Sequence, residues 1–72
     1  MAITEEQLDN WFEYHPPSAE QQASYVAIRK MAKSLAITIV AHSPASADQT
    51  AAIRLLRECV MTANAAIACG GK

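Results

Sequence analysis

Much that carries enzyme chemistry is missing from this 72-residue chain. There is no glycine-rich phosphate loop, no metal-ligand spacing of His and Cys, and no pair of carboxylates set for acid–base work. The two histidines, His15 and His42, stand at opposite ends of what reads as one long helix, roughly 40 Å apart. These absences predict a protein that is not an enzyme and needs no metal or cofactor. Glycine is scarce, with two residues, and both close the chain at Gly70-Gly71. No region alternates with the period of a strand, so a sheet is not expected. No apolar run reaches the ~18 residues of a membrane span, so no membrane partner is expected.

Cysteine is sparse too. Cys59 and Cys69 lie roughly 15 Å apart along one expected helix, too far for a bridge within the chain. Two unpaired thiols and no signal peptide predict a reducing, cytoplasmic setting.

Against those absences, 51% of the residues are hydrophobic and only 18% are charged. A chain this short buries only about 60% of its unfolded surface. So apolar a composition is more than one hairpin can hide, which predicts a homo-oligomer. The net charge of −1 is split unevenly. Glu5, Glu6, Asp9 and Glu13 make an acidic arm of about −4, and the body from Tyr14 onward is about +3. A near-neutral total argues against a binder of long nucleic acid. A small anion needs only a few cations.

Three stretches read as helix starts. Thr4, Ser18 and Ser46 are each followed three residues later by Gln, the capping-box pattern. The expected architecture is all-α and one domain over residues 1–72. A short acidic helix (about 5–12) precedes an antiparallel hairpin of two long helices (about 18–42 and 47–69). On the second helix Tyr25, Ile28, Ala32, Leu35 and Ile39 make one stripe; Val26, Ile37 and Val40 add a flank. On the third, Ile53, Leu56, Val60, Ala63 and Ile67 form a heptad-like seam, beside a second stripe of Leu55, Cys59, Thr62 and Ala66. A two-helix hairpin has one internal seam, so the second stripes are expected to meet other subunits. Trp11 and Phe12 are expected to anchor the first helix, and Asn64 to bond across the helices.

Candidate binding residues cluster at Tyr14-His15-Pro16-Pro17 and on the helix behind them. The prolines hold Tyr14 and His15 extended at a helix start, and Tyr25, Arg29, Lys30 and Lys33 follow. Rings beside cations suit a planar anion such as a nucleotide. The competing readings are a hydrophobic staple for Tyr14 and a solvated face for the cations. Arg54 and Arg57 oppose the dipole near the start of the third helix, so they await either a local anion or an interface salt bridge.

Tyr14-His15-Pro16-Pro17, Glu20-Gln21, Tyr25, Ala27-Ile28-Arg29, Ala32 and Pro44 occur together with Leu56-Arg57-Glu58 and the run Val60 to Ala68. With these the chain resembles the small helical-hairpin family of phage anti-CBASS cyclic-oligonucleotide sponges, over nearly all of its length from Tyr14. The resemblance implies a protein that sequesters the cyclic di- and trinucleotide messengers of bacterial defence, such as cGAMP, in the cytoplasm of an infected host. It also implies a hexamer, a trimer of dimers, with separate pockets for the two ring sizes. By position it gives Tyr14 to base stacking and Arg29 to a phosphate, with His15, Pro16, Lys30 and Lys33 as neighbours. Thr50, Arg54 and Arg57 are its candidates for the trinucleotide. The alternatives are an adaptor hairpin that acts only through assembly, and a helical regulator of a host protein that uses the acidic arm.

Overall fold

A computed structural model describes residues 2–72. Three helices, α1 (Glu5–Phe12), α2 (Ala19–His42) and α3 (Ala47–Ala68), account for all of its regular structure among the described residues. Each starts where a hydroxyl takes an otherwise orphaned N–H. Thr4, Ser18 and Ser46 accept from the backbone of Gln7, Gln21 and Gln49. Ser18 is therefore the cap of α2 and not its first residue. At the other end Cys69 caps α3, and Gly70 and Gly71 turn left-handed at φ 65° and 77°. The Gly71 N–H then reaches the Ala66 carbonyl at 2.9 Å and the Gly70 N–H that of Ile67 at 3.3 Å, a Schellman closure that side chains with a Cβ resist.

The third start departs from the sequence expectation. Reciprocal boxes form at Thr4 and Ser18. The Gln49 side chain instead crosses the turn to the Ser43 carbonyl (2.9 Å) and hydroxyl (3.1 Å) and the Val40 carbonyl (3.3 Å). It satisfies the frayed carbonyl end of α2 and so stitches the hairpin at its turn. At the open end Gln21 donates to the Ile67 carbonyl at 3.2 Å, which sets the start of α2 beside the finish of α3. The two stitches make the helices antiparallel.

Half-buried positions mark the seam. On α3 they include Ile53, Leu56, Val60, Ala63 and Ile67, as the heptad spacing predicts. On α2 they are Gln21, Tyr25, Ile28, Ala32, Ala36 and Ile39. Ala36 takes the place expected for Leu35, which is 50% exposed. Two small residues a turn apart, Ala32 and Ala36, let the α3 backbone approach closely.

Among the described residues none is fully buried. The chain exposes 5953 Å², whereas a folded monomer of 7.8 kDa exposes about 4,400 Å². The surplus includes Met31, Ile37, Val40, Leu55 and Met61, the flanks that lie outside the seam. Phe12 is 83% exposed, so it does not anchor α1 as expected. The arm is held by polar contacts: Asn10 donates to the Cys69 carbonyl (3.2 Å) and the Trp11 indole to the Lys72 carbonyl (3.3 Å).

Candidate functional site

Where α2 and α3 run side by side, Arg29 and Lys33 sit four residues apart on one helix, and Arg57 faces them from the other. They rim a groove of about 350 Å³ with an apolar floor that includes Ala36, Leu56 and Val60. Toward the open end of the hairpin a second groove of about 620 Å³ follows, lined by Gln22, Tyr25, Val26, Arg29, Met61 and Asn64 among others. Toward the turn a third, of about 380 Å³, holds Gln49, Thr50, Ile53, Arg54 and Arg57. Arg29 and Met61 line both of the first two, and Ile53 and Arg57 line both the first and the third. The three grooves thus follow one another between α2 and α3, each bordered by at least one arginine.

This arrangement joins what the sequence reading kept apart. Arg29 and Lys33 were grouped for one ligand, and Thr50, Arg54 and Arg57 for another. Arg57 belongs to both neighbourhoods within a single chain. A fourth groove has no cation in its lining. It measures about 680 Å³ and is lined by Met31, Leu35, Thr38, Leu56, Cys59 and Ala63 among others.

The ring-proline stretch lies elsewhere. Tyr14 is 83% exposed, so within this chain it does not pack as a staple, and it lines neither groove that holds Arg29. His15 is half-buried, with Nε2 donating to the Asn10 carbonyl at 2.6 Å, and it pins the link between α1 and α2. Pro16 and Lys30 are exposed and line none of these three grooves. His42 is likewise engaged with the backbone, its Nδ1 3.0 Å from the Thr38 carbonyl. No three His, Cys, Asp or Glu side chains among the described residues gather as metal ligands. No helix among them is long and apolar enough to cross a membrane.

Among the lining residues, sequence reasoning passed over Gln22 and gave Met61 and Asn64 no part in binding. Gln22 sits one turn before Tyr25 and Arg29, so the spacing alone contained the signal for it. Asn64 also differs from its expected role. Its Oδ1 is buried and has no hydrogen-bond partner, so the interhelical bond is not made through that oxygen.

In comparisons with known proteins, the family described as "Acb2/Tad1, hairpin domain" matches residues 4–68. No curated protein and no solved structure matches the chain.

Proposed function

The chain belongs to the Acb2/Tad1 hairpin family of anti-CBASS cyclic-oligonucleotide sponges, and from that membership we propose that it captures cyclic di- and trinucleotide messengers such as cGAMP without hydrolysing them. The observation that carries the reading is the groove in which Arg29, Lys33 and Arg57 flank an apolar floor. A cyclic oligonucleotide presents both kinds of surface at once: phosphates for the cations, base faces for the apolar wall. Capture without hydrolysis is supported by the placement of the two imidazoles: each has one nitrogen at a backbone carbonyl, and neither lines the grooves that hold the arginines.

The capturing unit is a homo-oligomer, a hexamer built as a trimer of dimers. The exposed surplus of about 1,500 Å² per chain over a compact monomer supports it, since a standard interface covers about 800 Å² on each partner. In a two-fold site each subunit supplies one Arg29 and one Tyr14, which stands free to lie against a neighbour. Thr50, Arg54 and Arg57 take the trinucleotide at a three-fold axis. The protein acts in the cytoplasm of a phage-infected bacterium.

Calorimetry of the purified protein against cyclic di- and trinucleotides, with a linear dinucleotide as control, tests this. Heat from the rings and little from the linear form is expected. Silence with every ring overturns the reading in favour of an adaptor hairpin whose apolar face is its whole function.

A further inference from the structure

Building on the cyclic-oligonucleotide reading, we propose that Asn64 reads the base edge of the ligand, its amide oxygen accepting from an exocyclic amine of a nucleobase lodged beside Tyr25. The groove at the open end of the hairpin is large enough for a base, at about 620 Å³. It brings together the half-buried ring of Tyr25, the guanidinium of Arg29 and the amides of Gln22 and Asn64. Ring, cation and amide are the three groups that face, phosphate and edge of a nucleotide require.

Asn64 is singled out by its own chemistry. Its Oδ1 is sealed from solvent and has no partner. A buried acceptor left unpaired is costly, and native proteins keep few of them. Asparagine is also a poor residue for a helix interior, and Asn64 sits in the middle of an alanine-rich run, Ala63 to Ala66. Packing in this hairpin therefore asks for a small apolar residue at position 64, and the amide opposes it. The terminal torsion of asparagine is soft, so a turn of the carboxamide brings Oδ1 round to the groove at little torsional cost. A ligand N–H then supplies the missing donor.

The test is Asn64→Ala, which matches the alanines around it and removes the amide. It is titrated alongside the wild type with cyclic di-AMP, cyclic di-GMP and cyclic di-IMP, whose hypoxanthine carries no amine. The wild type should bind one of the amino-bearing rings at least about tenfold more tightly than cyclic di-IMP. The variant should lose that preference and bind all three at about the wild-type level for cyclic di-IMP. Without ligand the variant should melt no lower than the wild type and keep its mass in solution, because the orphaned acceptor is gone.

A wild type that binds none of the rings overturns the sponge reading and this inference with it. A wild type that binds but does not discriminate, or a variant that retains the preference, overturns the inference alone. So does a variant that melts lower or dissociates unliganded, since the amide would then serve helix packing.

Discussion

Arg29 on α2 and Arg57 on α3 line the same groove, although 28 positions separate them in the chain. Arg57 also closes the neighbouring groove of Thr50 and Arg54. Arg57→Ala is therefore expected to weaken both ring sizes, whereas Arg54→Ala should weaken the trinucleotide alone. A charge-assisted bond to phosphate is worth about 1.5–3 kcal/mol, so each loss should be at least about tenfold in calorimetric affinity. Trinucleotide binding that is lost while dinucleotide binding survives Arg57→Ala would separate the two neighbourhoods after all.

Tyr14 is exposed and far more accessible than a packed ring needs to be. Tyr14→Ala should leave the helical circular dichroism unchanged and reduce dinucleotide affinity at least about tenfold, given stacking worth roughly 1–3 kcal/mol per base. Unchanged affinity would move the stacking role to Tyr25, which already lines the Arg29 groove.

Light scattering should give several times the 7.8 kDa of one chain, with about six-fold expected from the hexamer reading. A monomer at micromolar concentration would leave the surplus apolar surface without a partner and count against a site shared between subunits.

Incubation followed by heat denaturation should return the cyclic ligand whole on chromatography. Linear or mononucleotide products would show turnover, and the reading of a passive sponge would fall.

Two glutamines of the same sequence pattern should behave differently. Gln7 serves only its local box at Thr4, while Gln49 ties α3 to the end of α2. Gln49→Ala should cost about 1–2 kcal/mol and lower the melting temperature by roughly 4–15 °C at fixed protein concentration. Gln7→Ala should change it by less than half as much. Equal effects would reduce Gln49 to an ordinary cap.

That pair marks the border between what is local and what is not. Helix starts at Thr4, Ser18 and Ser46 and the stop at Gly70-Gly71 were legible because a cap acts over three or four residues, within reach of any reader of the chain. The cations were legible one by one for the same reason. Their grouping was not, because which faces of α2 and α3 meet depends on the rotation of each helix about its axis. Tyr25-Ile28-Ala32 continues to Leu35 or to Ala36 with equal right under a 3.6-residue period. Close approach of α3 chose the alanine, turned Leu35 outward, carried Arg57 over to Arg29 and Lys33, and sealed the Asn64 Oδ1 without a partner. The sequence by itself determined three capped helices, an apolar surplus and a set of basic side chains. The tertiary structure decided which of those side chains meet, bringing Arg29, Lys33 and Arg57 to one groove and leaving Lys30 outside it, because only packing sets the relative rotation of two helices.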